Sequence, residues 1–291
     1  MFKKLSVFQL KSPWPLTAAE LEAQLGLHVL NAPTGLSSQS SGWLPIGPDQ
    51  QLVYSQDRSL LLNFGIEKRV IPKSAVERAV ADKAAELERE RGFKPGRKMM
   101  RALKDEVLVA MLPKALTAQK ATPVRIDTAS GRIYIADTGS AAEEAIEYLR
   151  RSVGFNPLIS RLDTARSPVS AMTAWLAEDE CPLDFGDFAE LSSTDGERAS
   201  VRFKNHPIAG SKAVRDHISI GKVVVAMGLV HEDRLSFVLD DRFQFKSIRL
   251  LDIEAPEEGY EDHVEQFDAE LRIELAAIDA AMNRVTKALA A

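Results

Sequence analysis

KSAVERAVADKAAELERERGFKPGRKMMRALKDEVLVAMLPKAL, residues 73–116, stands apart from everything around it. Val76, Val80 and Leu87 recur at helical spacing among dense charge, so residues 73–91 form an amphipathic helix. Gly92, Pro95 and Gly96 break it. A second helix covers residues 97–112, with Leu103, Val107, Leu108 and Met111 on one face. The two make a helical hairpin with a thin apolar stripe, and such a hairpin projects from a body instead of forming its core.

On either side the pattern is β with short helices. Before the hairpin, residues 3–10, 51–55 and 59–65 read as strands. Thr17 and Glu20 form a capping box for a helix to about Leu25. Gly42-Trp43-Leu44-Pro45-Ile46-Gly47-Pro48 reads as an ordered loop, because its Gly and Pro break regular structure while Trp43 needs burial. After it, residues 123–127 and 132–137 form a β-hairpin through Ser130-Gly131. Ser140 and Glu143 repeat the capping-box spacing ahead of a helix to about Val153. Residues 168–176 form another helix, residues 222–230, 236–239 and 243–251 three strands, and residues 260–290 a closing helix. The class is α+β: a β-rich central region, an inserted helical-hairpin tip and a C-terminal α+β base. The divisions fall at residues 1–72 (central), 73–120 (tip), 121–165 (central, continued) and 166–291 (base).

Composition is that of an ordinary globular chain, 45% hydrophobic and 27% charged. One cysteine, Cys181, excludes an intrachain disulfide framework and a Cys-rich zinc site. The opening Met1-Phe2-Lys3-Lys4-Leu5 lacks the apolar core of a signal peptide. No window reaches the ~18 apolar residues of a membrane span. These features place the protein in the cytoplasm.

A formal net charge of −5 argues against nucleic acid until the charges are mapped. From Arg91 to Lys104 every charged residue is basic: Arg91, Lys94, Arg97, Lys98, Arg101 and Lys104. From Asp252 to Asp279 eleven acids face a lone Arg272. Segregation of this kind lets one face attract phosphate while the rest repels it. A charge run is otherwise only a solvated helix face; the absence of acids and the position at a hairpin tip raise this one above that. Phe93 is the only aromatic near the run, which disfavours base stacking, and no helix-turn-helix or zinc finger supplies a base reader.

Catalytic signals are weak. Gly210-Ser211-Lys212 and Gly221-Lys222 lack Walker spacing, the five histidines show no paired metal-ligand spacing, and there is no nucleophile elbow. Asp127, Asp137, Asp240 and Asp241 keep a metal-dependent nuclease open, although aspartates beside turns are common for backbone reasons. A third reading is a protein-interaction module that uses the acidic C-terminal helix.

The chain resembles the bacterial recombination-associated RdgC family along nearly its whole length. The likeness is carried by Gly42-Trp43-Leu44-Pro45, Glu67-Lys68-Arg69-Val70-Ile71-Pro72 and Leu103-Lys104-Asp105-Glu106-Val107-Leu108. Leu112-Pro113-Lys114-Ala115, Ile126-Asp127-Thr128 and His217-Ile218-Ser219-Ile220-Gly221-Lys222-Val223-Val224 complete it. The resemblance implies a homodimer closed into a ring around double-stranded DNA, without sequence preference, cofactor, metal or catalysis. It further implies restraint of RecA-promoted recombination by occupying the DNA that RecA would use, and hence nucleoid association. The basic positions it carries over are Arg97, Lys98, Lys114, Lys204 and Lys222; Lys94 and Arg101 are added from the charge run. Lys222 has a competing structural role, capping a helix C-terminus beside His217. Where the family pattern runs Leu-Pro-Arg-Ala-Phe, this chain has Leu116 in place of the aromatic expected to close the ring's gate. Leucine still buries in an apolar pocket, with less area and no ring stacking.

Overall fold

The computed structural model describes residues 1–194, 199–251 and 262–290. Two antiparallel sheets organise them. The first is built from β1 (Ser6–Leu10), β2 (Gln39–Leu44), β3 (Tyr54–Gln56), β4 (Ser59–Val70), β5 (Leu116–Asp127), β6 (Arg132–Ile135) and β7 (Ile159–Arg161). Its order is β2-β4-β5-β6-β1-β7, with β3 adding to β4 beyond the end of β2. The second contains β8 (Asp184–Ser192), β9 (Ser200–Lys204), β10 (Val223–His231), β11 (Leu235–Asp240) and β12 (Phe245–Leu250), ordered β12-β11-β10-β8-β9. The helices are α1 (Ala18–Leu25), α2 (Lys73–Arg91), α3 (Arg97–Met111), α4 (Ser140–Ser152), α5 (Pro168–Glu178), α6 (Lys212–Ser219) and α7 (His263–Ala290). The mixed α+β class expected from sequence is observed.

The first sheet is buried on both faces. Leu60, Leu62, Phe64 and Ile66 of β4 pack with Leu21 of α1 and Ala145, Ile146 and Leu149 of α4. Leu61, one residue out of phase, points to the other face and joins the core around α7. This two-sided burial explains the unbroken Leu60-Leu61-Leu62 run, where a half-exposed strand would alternate. The sheets meet where Leu5 and Phe245 exchange backbone hydrogen bonds of 2.7 and 3.0 Å.

α7 lies between the sheets, its Leu275, Ile278, Met282 and Val285 in the core shared with Phe237 and Leu239 of β11. Two of its acids, Asp268 and Asp279, face the first sheet, and Glu274 faces the chain that leads into it. Asp279 takes a bidentate pair from buried Arg125, both bonds 2.7 Å, and a third from the Tyr134 hydroxyl at 3.1 Å. Arg125 also donates to Ser59 at 2.8 Å. Burial, then the Asp279 carboxylate, push the Tyr134 phenol above its ordinary pKa. Asp268 accepts from Tyr54 and, through its carbonyl, from Gln56 at 2.7 Å. Glu274 accepts the Phe2 amide at 2.6 Å. Three of the acids read as an exposed partner-binding face therefore hold the helix in place. Asp252, Glu254, Glu257, Glu258 and Glu261, and the expected helix start at Tyr260, lie outside the described residues.

Several local expectations need correction. Gly42-Trp43-Leu44 is strand, not loop: Gly42 does not break β2 but leaves room for the crossing chain, since a Cβ there would lie 2.3 Å from the Leu30 Cα. Leu30 donates to the Trp43 carbonyl at 2.9 Å, and the indole Nε1 donates to Ser152 at 2.8 Å. The Thr17–Glu20 capping box is present, but the Ser140–Glu143 one is not. α4 starts after Gly139, whose amide donates to Asp137 at 2.6 Å. The strand expected at 243–251 starts two residues late, because Asp240 accepts from Arg242 and Gln244 and turns the chain, leaving Phe243 at φ 56°.

Asp279→Ala should leave Arg125 charged and buried without its partner, at a cost of about 3–5 kcal/mol. Urea titration should show it as a lowered midpoint, and Arg125→Met with Asp279→Leu should recover most of the loss.

Candidate nucleic-acid interface

β4 and β5 form one continuous ladder from Ser59↔Asp127 to Val70↔Leu116. The neighbouring strands end sooner: β6 pairs β5 only at 124–127, and β2 reaches β4 only as far as Lys68. Beyond β6 the β5 edge of the ladder is uncovered, residues 116–121 being exposed, while β2 still flanks β4 as far as Lys68, so only the last two pairs form a two-stranded ribbon. β5 thus begins seven residues before the strand expected at Pro123. Residues 116–121 of the extra stretch show no alternation of apolar and polar residues because neither face there is buried.

On this ribbon sit α2 and α3. Val76, Val80, Leu103 and Val107 make a small core of their own, extended by Leu87, Met100 and Met111 and distinct from the two main cores. Lys83 and Glu106 tie the helices at 2.5 Å. The helical hairpin read from the sequence is present, and it projects.

Lys94 lies in the loop between the helices, Arg97 and Lys98 in the first turn of α3, and Arg101 one turn on; all four are exposed. Among the described residues none of the four forms an ion pair with an acid. Two cations at a helix N-terminus oppose the macrodipole and concentrate positive potential at the tip. The last turn of α2 mixes Glu88 and Glu90 with Arg89 and Arg91. Lys114 is exposed in a 3-10 turn, Leu112–Lys114, that leads back into the ribbon. Leu116 opens β5 at 83% exposure, directly opposite Val70 at 50%. They form an exposed apolar pair where the arm's helices meet its ribbon.

Lys204 ends β9 far along the chain, on the open face of the five-stranded sheet. Alternation along the strand sends Phe203 toward the core and Arg202 and Lys204 outward. With Glu190, Lys246 and Arg249 they line a shallow cleft of about 580 Å3, floored by Gly186 and Gly228. Arg202 pairs with Glu190 and Lys246 with Asp240, at 2.8 and 2.7 Å. Arg202, Lys246 and Arg249 went unnoticed in the sequence; the signal was a cation on either side of Phe203, the period of a half-buried strand. β8 is not among the strands expected from the sequence.

Lys222 follows α6. Its backbone amide donates to the His217 carbonyl at 3.1 Å and closes the helix, while its ammonium donates to the Ala199 carbonyl at 3.1 Å. The helix is thus capped by the backbone of Lys222, and the side chain bridges to the start of β9. The seven basic positions fall in separate places: four at the tip, Lys114 at the arm's root, Lys204 on the open sheet and Lys222 beside α6.

The four aspartates do not converge. Asp127 accepts from the Ala129 amide at 3.0 Å and the Ser130 hydroxyl at 2.6 Å, holding its turn. Asp240 holds the next hairpin as described, and Asp241 follows it in the same turn. Asp137 accepts from Lys4, Lys120 and Gly139 at 3.0, 2.6 and 2.6 Å. Burial opposes its ionisation, but the hydrogen bonds from Lys120, Gly139 and Lys4 prevail and pull its pKa down to about 2. Among the described residues no three His, Cys, Asp or Glu side chains are grouped to hold a metal, and no helix is long and apolar enough to cross a membrane.

Fold and surface together define an α+β protein of two antiparallel sheets that carries a cationic helical arm. The RdgC family model, described as "Putative exonuclease, RdgC", matches residues 1–291. Recombination-associated protein RdgC of Janthinobacterium sp. (strain Marseille) is 36% identical over 278 residues, 94% of this chain and 92% of its own. That of Cupriavidus necator is 35% identical over 293 residues, 99% and 97% of the two chains. That of Burkholderia cenocepacia is 35% identical over 277 residues, 94% and 90%. The chain belongs to the RdgC family.

The Asp137 cluster makes an acid-labile contribution to stability. Its folded pKa lies below the unfolded value of about 3.9, so the contribution is complete above about pH 5 and lost as pH falls toward 2. Unfolding followed from pH 6 to pH 2 should show Asp137→Asn losing less stability over that interval than the parent protein does.

Proposed function

We propose that this chain is a sequence-independent double-stranded DNA-binding protein that closes as a homodimeric ring around the duplex. One observation carries the reading: an arm projecting from the body presents Lys94, Arg97, Lys98 and Arg101 without acidic partners among the described residues. Cations on long flexible stems, in a chain without a helix-turn-helix or zinc-finger signature, contact phosphates and not base edges. Lys114, Lys204 and Lys222 would extend the contact along the arm's root and the open sheet, where Arg202 and Arg249 add charge.

In this reading the tip comprises residues 73–120, the central region residues 1–72 and 121–165, and the base residues 166–291. Copies meet at the tips and again at the bases, and Leu116 with Val70 supplies the apolar contact that closes the gate. A ring in place denies the DNA to RecA and so restrains recombination, and the protein resides on the nucleoid in the cytoplasm. The names of the relatives support a role in recombination. No catalysis or cofactor enters this reading. The family description favours one second reading, an exonuclease, which release of nucleotides from duplex DNA with magnesium or manganese would establish.

Binding of random-sequence duplex should weaken by orders of magnitude between 50 and 200 mM salt if about six or more phosphates are contacted. Lys98→Glu should weaken binding to all sequences alike and lower the salt slope by about one. A changed sequence preference would instead mean direct base contact.

Leu116→Ala should leave the dimer intact in sedimentation but shorten its retention on closed circular DNA about tenfold, the loss expected for one buried leucine. Unchanged retention would remove Leu116 from the gate.

A further inference from the structure

Where the arm leaves the body, the ribbon overhangs the start of α4 and encloses a cleft of about 590 Å3. Ile66, Lys68 and Val70 of β4 and Ala118 and Lys120 of β5 share the ribbon face that lines it. Lys4 enters from the chain ahead of β1, and Asp137 lies at the cleft's inner end. Three lysines from three separate segments thus converge on one concavity, against buried Asp137 and partly buried Glu144. Lys68 is exposed and has no acidic partner among the described residues. Asp137 holds both other ammonium groups, Lys4 at 3.0 Å and Lys120 at 2.6 Å. The Lys120 bond is an ion pair between the ribbon and the body.

We infer that this cleft is a phosphate site that takes a backbone phosphodiester of the bound duplex, with Lys68 and Lys120 as its principal ligands and Lys4 behind them. The inference rests on the duplex-binding reading and adds to it a site that the basic run at the tip does not contain. Ammonium groups on flexible stems meet a phosphate as point charges without demanding one geometry. The lining carries no aromatic side chain, so the site has nothing on which to stack a base. A phosphate in the cleft competes with Asp137 for Lys120. Binding therefore loosens the ion pair between ribbon and body, and the arm becomes freer to move when DNA is present.

The test is fluorescence anisotropy of a short random-sequence duplex with the full chain, between 50 and 200 mM salt, for the parent and for Lys68→Gln, Lys120→Gln and Asp137→Asn. Losing one phosphate contact lowers the salt slope by about 0.9, so affinity should fall about threefold less over that range in each lysine variant. Asp137→Asn retains an acceptor for Gly139 and removes the competing charge, so it should bind more tightly than the parent. A purely structural Asp137 would give weaker binding instead. Lys68 touches no partner that folding requires, so its variant stays interpretable if the others prove unstable. Parallel salt slopes for parent and Lys68→Gln, with steep binding by both, would overturn the cleft and leave the duplex reading standing. Absence of duplex binding by the parent would overturn both. Inorganic phosphate, added at constant ionic strength, separates the sources. If it binds the parent but not Lys68→Gln and leaves duplex affinity of the parent unchanged, the cleft takes free phosphate and the backbone assignment fails.

Discussion

The β4–β5 ladder is the constraint on which the molecule depends. Its inner half is the centre of the first sheet, where Leu60, Leu62, Val124 and Ile126 are buried and Arg125 anchors α7. Its outer end, uncovered along β5 from residue 121 and beyond β2 at Arg69 and Val70, carries the helical arm. Cross-strand hydrogen bonds do not distinguish a buried ladder from an exposed one, so the same register runs through both. Position at the arm's root is thereby referred to the core. A one-residue slip would exchange the faces of the whole ribbon, and the buried leucines forbid it.

Charge follows the same division between body and arm. In the body, acids are spent on holding elements together: Asp279 and Asp268 seat α7, Asp127 and Asp240 close turns, and Asp137 gathers Lys4 and Lys120. On the arm's α3 side Lys94, Arg97, Lys98 and Arg101 have no acidic partners among the described residues. A formal charge of −5 therefore says little about what the arm presents to solvent. Electrostatic attraction at about one Debye length depends on the local arrangement, and the molecular total matters mainly for solubility.

How much of this was legible depended on where each signal came from. The helical hairpin was legible because α2 and α3 carry their own apolar stripe, and the loop between them is marked by Gly92, Pro95 and Gly96. The outer ribbon was not: Thr117-Ala118-Gln119-Lys120 carries no periodicity, and it is a strand only because β4 lies beside it. Gly42 misled for the opposite reason, since a glycine that accommodates a crossing chain looks in sequence like a glycine that breaks a strand. The tip cations could be found as a run, whereas Lys204 and Arg249 share a cleft only through pairing across β8, β10 and β11. Their association is tertiary, and no spacing along the chain encodes it.

The arm's separate core has a mechanical consequence. Val76, Val80, Leu103 and Val107 contact each other and the hairpin's own residues, so the arm does not owe its internal packing to the body. Its attachment includes the β4 and β5 strands, the Lys120–Asp137 ion pair, the Arg69 amide bond to the Ser38 carbonyl at 2.9 Å and the Arg69 guanidinium bonds to the Pro33 and Gly35 carbonyls, 2.7 and 3.0 Å. Partly exposed contacts of this kind are individually weak beside the buried cores on either side. A body that is internally rigid, joined to an arm that is internally rigid, concentrates compliance at the junction between them. The division of cores localises bending of the arm at its root, where Leu116, Val70 and Lys120 stand.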